Sequence, residues 1–311
     1  MDQHHNAFGF GETERRNVEV LLPIAMAEDF GQVGDITSAP LIPAHGRGAA
    51  NLVARSPGVL AGLPVAERLV AEFELLEHWR AYRADGDRLE CGTVVARLAG
   101  SMRSLLALER TALNFLQRLS GIATLTSRFV AAAAGTRAAI YDTRKTTPGW
   151  RALEKYAVRC GGGRNHRFGL YDAVLIKDNH LAWLQASGGL DSAESIAAAV
   201  ASARANVPPG TVVEVEVDTL EQLDVALGCG PDIILVDNLG AGAMAEAVRR
   251  RDAVAPLVQL EASGGVSLAT VGAIAATGVD RISVGALTHS APWLDLALDF
   301  ETEPMPEPAG G

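Results

Sequence analysis

The chain has 311 residues, of which 48% are apolar and 21% charged, and its formal net charge is −10 at pH 7. This length accommodates one large α/β domain with a smaller one, and the composition is that of a globular protein. The acidic balance argues against general nucleic-acid binding, which draws on a broad basic surface. No apolar run approaches the roughly 20 residues of a membrane-spanning helix. We therefore expect neither nucleic acid nor a membrane as a partner.

The cysteines bear on the cellular compartment. Cys91, Cys160 and Cys229 lie far apart, with no CxxC pair and no metal-ligand spacing. A sparse, odd-numbered set fits a protein whose thiols stay reduced. The polar start of the chain also lacks the apolar core of a signal peptide. The sequence therefore predicts a cytoplasmic protein.

The first hundred residues predict a mixed α/β region after a flexible lead over residues 1–17. A helix is expected from Val18, a strand over 47–55, and an amphipathic helix over 66–76. Two short strands are expected within residues 79–98. The acidic loop EDFGQVGD permits a metal site, but we favour a helix exit followed by a turn.

Residues 104–134 predict a long helix with one apolar face, and Ser120-Gly121 is a candidate break point. Glu109 and Arg110 fall beside the apolar face. Spacing alone predicts that these two residues form a surface ion pair, which would contribute little to stability.

From residue 138 onward, short apolar runs recur and each ends in a charged or small polar residue. Helical stretches separate these runs, over residues 150–160, 191–205, 219–228, 241–254 and 267–277. The six strand ends are marked by Asp142, Lys177, Glu216, Asp237, Glu261 and Gly285. This βα repeat predicts a parallel sheet, and reactive groups at consecutive strand ends are typical of a β/α barrel. A doubly wound open sheet is the alternative, although no G-x-G-x-x-G opens a helix here.

A basic island lies across the first two of these strand ends. Between Arg144 and Leu181 there are eight lysines and arginines against three acids, a local charge of +5 on an acidic protein. A bare run of charge is usually a solvated helix face. This one also contains GGGRNHR and is bounded by two strand ends, which favours a site for a multiply anionic small molecule.

Two later strand ends predict a phosphate site and a metal site. Small residues follow the last two strands, as SGGV over 263–266 and SVGA over 283–286, where main-chain N–H groups can close on a phosphate. Glu216 and Asp237 end two apolar neighbouring strands, and carboxylates facing a phosphate site are suited to Mg²⁺. The alternative is that each carboxylate only pairs with Lys145 or Lys177.

These residues together resemble the quinolinate phosphoribosyltransferase family. The resemblance is carried by ERTALNFLQRLSGIAT, by DTRKTTPGWRALEKYAVRCGGGRNHRFGLYDAVLIKDNH, and by VEVEVDTLEQ, ILVDN, LEASGG and SVGALTHS. It covers roughly residues 18–298, and the long central motif is specific to the family. Trp150 stands where another apolar residue is usual.

The resemblance implies an α/β protein of two domains. An N-terminal α/β sandwich over residues 18–120 would be completed by a C-terminal helix at about 288–300. A β/α barrel of six or seven strands over 121–287 would hold the active site, and residues 301–311 would be a disordered tail. The resemblance also implies a homodimer in which one subunit's sandwich covers the barrel of the other.

The resemblance further implies roles for individual residues. Quinolinate would be bound by the cations Arg110, Arg144, Lys145, His166, Arg167 and Lys177. Phosphoribosyl pyrophosphate and Mg²⁺ would be bound by Glu216, Asp237, Ser263, Gly264, Gly265, Gly285 and His289. Lys145, Lys177, Glu216 and Asp237 would act in catalysis, and Glu216 and Asp237 would hold the metal. The implied reaction joins the two substrates, with loss of CO₂, into nicotinate mononucleotide.

Two other functions remain open from the sequence. Lys177 at a barrel strand end would suit a Schiff-base lyase. A relative of the family with a different specificity would carry most of the same motifs.

Overall fold

The computed structural model describes residues 8–73 and 76–301. Part of the predicted flexible lead, residues 1–7, lies outside the described residues. So does nearly all of the predicted tail, at residues 302–311. The chain forms two compact units. The first contains the described residues up to Ser127 together with 146–162 and 290–301, and the second contains 128–145 and 163–289.

The described residues form helices and strands with the following bounds. The helices are α1 (Glu12–Phe30), α2 (Ser38–Leu41), α3 (Leu63–Val70), α4 (Met102–Ala132), α5 (Arg151–Cys160), α6 (Asp178–Gly188), α7 (Ser192–Asn206), α8 (Leu220–Cys229), α9 (Ala241–Val254), α10 (Val271–Ala275) and α11 (Ala286–His289). The strands are β1 (Arg47–Ala54), β2 (Gly58–Val59), β3 (Leu76–Ala81), β4 (Arg88–Leu89), β5 (Val94–Ser101), β6 (Ala139–Tyr141), β7 (Val174–Ile176), β8 (Val213–Val217), β9 (Ile233–Asp237), β10 (Gln259–Ser263), β11 (Arg281–Ser283) and β12 (Leu296–Phe300).

The first unit is an α/β sandwich, as predicted. Its sheet has the order β12-β1-β5-β3, with antiparallel pairing throughout. The apolar faces of β1 and β5 pack on α3 and α4 through side chains such as Leu52, Leu98 and Leu108. The helix α5 also belongs to this unit, so the range 121–287 predicted for the barrel does not match the second unit.

The predicted C-terminal helix at about 288–300 is wrong, because β12 occupies residues 296–300. Leu296 and Leu298 alternate with less buried neighbours and pair with Ala54 and Leu52 of β1. This period of two suits a strand on the open edge of β1 and does not suit a helix. An ion pair between Arg97 and Glu301, at 2.8 Å, anchors the end of this segment.

Two expectations about helix bounds are also wrong. The first helix begins at Glu12, because Glu14 accepts the N–H of Gly11 (2.8 Å) and pairs with Arg159 (2.9 Å), so residues 12–17 are not a flexible lead. The long helix α4 passes through Ser120-Gly121 without a break. A Cβ on Gly121 would lie 2.1 Å from the carbonyl oxygen of Pro292, so this glycine allows a close backbone approach.

The loop EDFGQVGD is a helix exit and turn, the interpretation favoured from the sequence. Glu28 and Asp29 lie in the last turn of α1, and Gly31 and Gly34 take positive φ. Asp35 accepts the N–H groups of the two residues at the start of α2, at 2.9 and 3.0 Å.

The second unit is built on a six-stranded parallel sheet with the order β6-β11-β10-β9-β8-β7. From β7 to β11, each strand pairs with the strand that follows it in the sequence. The last of them, β11, then pairs with the first strand of the unit, β6. A doubly wound sheet would reverse direction partway, so this order excludes it and fits a barrel. A single bridge between Tyr141 and Arg164 lies on the outer edge of β6, where a seventh strand would begin.

One side chain shows that this sheet is strongly curved. The main-chain N–H of His166 donates to Oδ1 of Asp142, which lies just after β6 (2.9 Å). The ring Nε2 of the same histidine lies 3.0 Å from Glu214 Oε2 on β8. In a flat sheet, β6 and β8 would stand four strand spacings, or about 19 Å, apart. A histidine cannot span that distance, so the sheet curls toward itself as a barrel does.

Local sequence signals set the helices around this sheet. Asp191 and Glu194 form a reciprocal capping box at the start of α7, with bonds of 2.8 and 3.0 Å. Thr219 accepts the N–H of Gln222 at the start of α8 (3.1 Å), and Gly189 and Gly230 end α6 and α8 in the left-handed conformation. None of the helices in the described ranges combines the length and apolar character needed to cross a membrane.

Candidate active site

A cavity of about 320 Å³ opens at the carboxyl ends of the parallel strands in the second unit. All six strands contribute lining residues at or next to their ends. The predicted cations that line it are Arg144, Lys145, His166, Arg167 and Lys177. Glu216, Asp237 and Ser263 line it as well. The residues that the sequence placed at separate strand ends therefore converge on one space.

Three of the five cations of this cavity, Arg144, Lys145 and Arg167, form no ion pair with any described residue. Arg144 has a buried Nε with no hydrogen-bond partner, and Lys145 forms no ion pair within the described part of the chain. Arg167 donates to the carbonyl of Ala173 at 2.9 Å. Burial, and then the nearby Arg144 guanidinium, lower the pKa of Arg167. Because guanidinium groups repel one another, an anion bound between them relieves both the repulsion and the unmet hydrogen bond.

The two predicted metal-binding carboxylates differ in their contacts. Glu216 Oε2 pairs with Lys177 Nζ at 2.9 Å, the lysine pairing that the alternative interpretation expected. Asp237 instead accepts from Asn238 Nδ2 at 2.6 Å and pairs with neither lysine within the described residues. Both carboxylates also line a neighbouring cavity of about 200 Å³. Hard oxygen donors on adjacent strand ends fit Mg²⁺, which one or two carboxylates and substrate oxygens usually hold.

The glycines after β10 and β11 leave room beside this cavity. Gly264 and Gly265 both take positive φ, at +88° and +58°, a conformation that glycine adopts without strain. The absence of side chains here lets a bound anion approach the main-chain N–H groups of this turn. At Gly285, an added Cβ would lie 3.1 Å from both His289 Nε2 and Lys145 Cδ. The glycine therefore keeps the space next to Lys145 open.

A buried cluster of ionisable groups adjoins the cavity. His166 Nε2 lies 3.0 Å from Glu214 Oε2 and 3.3 Å from Glu261 Oε1, and Arg281 Nε bonds to Glu261 Oε2 at 2.5 Å. The histidine and the two glutamates have the spacing of a metal-ligand set, with ligand atoms within 4.8 Å of one another. Arg281 and a protonated His166 balance the charges of both carboxylates, and the buried Glu214 Oε1 has no hydrogen-bond partner within the described residues.

The charge of His166 depends on a balance of effects. Burial lowers the imidazole pKa, but hydrogen bonds to Glu214 and Glu261 outweigh it and raise the pKa to about 9. The N–H of Arg167 lies 2.7 Å from Nδ1, a contact that suits a neutral ring. Losing such a bond costs about 1–3 kcal/mol. Leaving a buried charge without its partner costs more, about 3–5 kcal/mol. We therefore assign His166 as a cation at neutral pH.

This assignment predicts the titration of the His166 ring. Because its pKa in the folded protein lies above the value of 6.5 for an unperturbed histidine, its stabilising effect is complete below pH 6.5 and is lost as the pH rises through about 9. The difference corresponds to about 3 kcal/mol. We expect an NMR titration to give a midpoint near pH 9 for the one ring signal that His166→Gln removes. A midpoint at or below pH 6.5 would contradict the assignment.

Arg110 is the one predicted quinolinate-binding residue that does not line this cavity. It lies in the first unit, where it lines a separate cavity of about 150 Å³ together with Asp29, Asn114 and Trp150. It forms no ion pair within the described residues, so the predicted surface pair with Glu109 is not observed. Trp150 stacks on Phe115 in the same region, with ring centroids 4.7 Å apart.

Two functional candidates were missed from the sequence. Glu214 and Glu261 are 1% and 0% exposed, yet they contact His166 inside the barrel. The alternation in VEVEV contained the signal for Glu214, because a period of two places it on the same face as Glu216. Glu261 was used only as a strand marker.

The fold and the site together define a class of protein. A β/α barrel that gathers five cations, of which three form no ion pair in the described residues, with two carboxylates and adjoining glycine turns is suited to small, multiply anionic substrates. Comparison with known proteins identifies the family. The chain belongs to the quinolinate phosphoribosyltransferase family, because residues 35–120 match its N-terminal domain and residues 122–299 match its C-terminal domain.

Individual relatives agree with this assignment. The chain is 47% identical over 278 residues to nicotinate-nucleotide pyrophosphorylase (carboxylating) of Mycobacterium leprae, covering 89% of this chain and 94% of the relative. It is 37% identical over 297 residues to quinolinate phosphoribosyltransferase (decarboxylating) 1 of Nicotiana glauca, covering 91% and 82%. The crystal structure of NadC from Streptococcus pyogenes superposes with a TM-score of 0.83 at 40% identity, covering 91% and 96%.

Proposed function

We propose that this protein transfers the phosphoribosyl group of phosphoribosyl pyrophosphate to quinolinate with loss of CO₂. The products are nicotinate mononucleotide and pyrophosphate, an entry step into NAD biosynthesis. The observation that carries the proposal is the unneutralised cation set, above all the buried, unpaired Nε of Arg144 beside Lys145 and Arg167. Quinolinate supplies two carboxylates, and arginine forks bind carboxylates bidentately.

The site residues divide between the two substrates. Arg144, Arg167 and the cationic His166 stand near the quinolinate carboxylates and fix the ring so that its nitrogen faces C1 of the donor. Lys145 and the glycine turns receive the phosphates. When the donor binds, the ion pair between Lys177 and Glu216 breaks, or Lys177 contacts Glu216 and the donor's phosphates at the same time.

The chemistry then needs no covalent enzyme intermediate. The C1–O bond to pyrophosphate breaks with oxocarbenium-like character, and the pyridine nitrogen forms a bond to C1. The quaternised nitrogen withdraws electrons from the adjacent C2, so the C2–carboxylate bond breaks, CO₂ leaves and C2 takes a proton. Lys145 and Lys177 stabilise the charge of the departing pyrophosphate. Mg²⁺ held by Glu216 and Asp237 would neutralise further charge on that leaving group when bound.

The arrangement of Lys177 argues against the Schiff-base alternative. Its Nζ lies 2.9 Å from Glu216 Oε2, and this ion pair would have to break before the amine could attack a carbonyl carbon. Borohydride treatment with a carbonyl substrate would trap a lysine adduct only if the lyase function were real.

The proposed function is tested by incubating the protein with quinolinate, phosphoribosyl pyrophosphate and Mg²⁺. Nicotinate mononucleotide should form, and omitting either substrate should abolish it.

We further propose a homodimer with shared active sites. Arg110 is exposed and without an ion pair in its own unit. Within the first unit, Arg110 lines a cavity together with Ala25 of α1, and the same helix exposes the apolar side chains of Val20 (59%) and Ile24 (57%). A partner surface that covers this helix would account for their exposure. In this arrangement Arg110 of one subunit completes the quinolinate pocket of the other. The cytoplasmic location stays a prediction from the sparse cysteines.

Metal dependence gives a prediction for the two carboxylates. Glu216→Gln and Asp237→Asn should each weaken the Mg²⁺ response of turnover by about tenfold or more, since each removes a charged oxygen ligand. Quinolinate binding should remain within about twofold in Asp237→Asn, because this carboxylate pairs with no cation of the site. A Mg²⁺ titration of activity beside calorimetry with quinolinate alone measures both. If the Mg²⁺ dependence of turnover were unchanged in both variants, the two carboxylates would not bind the metal and would only form contacts within the protein.

A further inference from the structure

Asn238 combines an uncommon backbone conformation with contacts on both sides of the donor-binding region. It is the one non-glycine residue with positive φ in the described part of the chain, at +56°. Asparagine tolerates this region better than most residues, but it is still sparsely populated. Such a conformation persists where the surroundings determine it, and it is frequent at functional sites.

The side chain of Asn238 orients a candidate metal ligand. Its Nδ2 donates to Asp237 Oδ2 at 2.6 Å. This bond occupies one oxygen of the carboxylate and restricts the rotation of the group, while Asp237 lines the main cavity. Partners of this kind, which bind a metal-binding carboxylate, tune its orientation and affinity.

The backbone and the side-chain oxygen of Asn238 contact the glycine turn after β10. Its N–H donates to the carbonyl of Ser263 at 3.0 Å. A Cβ on Gly264 would lie 2.1 Å from Asn238 Oδ1 and 2.9 Å from its main-chain nitrogen. The turn that presents N–H groups to a phosphate is therefore packed directly against Asn238.

Helix capping does not explain the residue. The helix α9 begins at Ala241, its N-cap is Gly240, and no side chain caps it. Neither the short turn before α9 nor that helix requires an asparagine side chain at position 238. What the side chain does contact is Asp237 and Gly264, which the proposed function assigns to the metal and to the donor phosphate.

We propose that Asn238 is a positioning residue for the phosphoribosyl pyrophosphate half of the site, holding the Asp237 carboxylate and the Gly264 turn in one fixed arrangement. This inference rests on the proposed function. It predicts an effect on the donor and on its metal ion, with quinolinate unaffected, because the cations that face quinolinate lie on other strand ends.

Two variants separate the side chain from the backbone conformation. Asn238→Gly keeps a positive φ at no steric cost and removes the amide. Asn238→Asp keeps the shape and tolerates the same conformation, but its carboxylate cannot donate to Asp237 and repels it. Asn206→Gly is the matched control, since Asn206 is the exposed last residue of α7 and its amide donates to the carbonyl of Ser202, far from the cavity lining.

The measurements are calorimetric binding of phosphoribosyl pyrophosphate with Mg²⁺, calorimetric binding of quinolinate, KM for each substrate, and thermal unfolding. We expect donor binding and donor KM to weaken by about tenfold to a hundredfold, more in Asn238→Asp than in Asn238→Gly. Quinolinate binding should stay within about twofold in both variants, and the control should match wild type in every measurement except unfolding.

The outcomes are distinct. Unchanged donor binding with a lower unfolding temperature would overturn the inference and leave Asn238 a structural residue. Equal weakening of both substrates would also overturn it, because the effect would not be confined to the donor half. A wild-type protein that neither binds the donor nor forms nicotinate mononucleotide would instead overturn the proposed function, and the inference with it.

Discussion

Nicotinate offered in place of quinolinate should give a kcat/KM about a thousandfold lower. Nicotinate lacks the 2-carboxylate, so the Arg144 or Arg167 guanidinium that would bind it stays unpaired. An unpaired buried charge costs about 3–5 kcal/mol, and each 1.4 kcal/mol is a factor of ten. Steady-state kinetics with both acids at saturating phosphoribosyl pyrophosphate measures the ratio.

A matched pair of variants shows whether this discrimination comes from the cavity. Arg144→Ala should lower kcat/KM for quinolinate sharply while changing that for nicotinate much less, so the ratio collapses. Arg249→Ala removes an arginine that is 74% exposed on α9 and should leave the ratio unchanged. Comparable kcat/KM for the two acids in the wild type would contradict quinolinate as the substrate.

Mixing two inactive variants should restore activity if the active sites are shared. Arg110→Ala and Lys177→Ala should each be nearly inactive as homodimers. After co-refolding, each mixed dimer contains one site in which Lys177 comes from one chain and Arg110 from the other. With random pairing, half of the dimers are mixed and each has one intact site of two, so recovery should approach roughly a quarter of wild-type activity.

The control for this experiment is the composition of the mixture. Native mass spectrometry of the co-refolded sample shows whether mixed dimers have formed. If Arg110 serves the site of its own chain, every site in the mixture carries a defect and no activity returns. Confirmed mixed dimers without recovered activity would therefore end the shared-site proposal.

The sequence predicted the second unit well because its signals are local. Each of the six strand ends, from Asp142 to Gly285, follows an apolar run, and the βα repeat leaves little freedom in how such runs pair. Parallel strands bring their carboxyl ends to one edge, so Lys177, Glu216 and Asp237 were expected in one place and are found there.

The errors occurred where long-range contacts determine the local structure. Gly121 is a helix breaker by propensity, but the approach of Pro292, 171 positions later, explains it as a packing residue. The segment around Leu296 became a strand because β1 has an open edge for it. Glu261 was overlooked as a functional group because its importance depends on His166, which the curvature of the sheet brings to it.

The most direct test of the central claim follows each carboxylate of quinolinate separately. Quinolinate carrying an isotopic label in the 2-carboxylate should release labelled CO₂ in a one-to-one ratio with pyrophosphate and nicotinate mononucleotide, and only when phosphoribosyl pyrophosphate is present. Label in the 3-carboxylate should remain entirely in the nucleotide. Release of CO₂ without phosphoribosyl pyrophosphate, or nucleotide formation that retains the 2-carboxylate label, would contradict a transferase that couples phosphoribosyl transfer to decarboxylation.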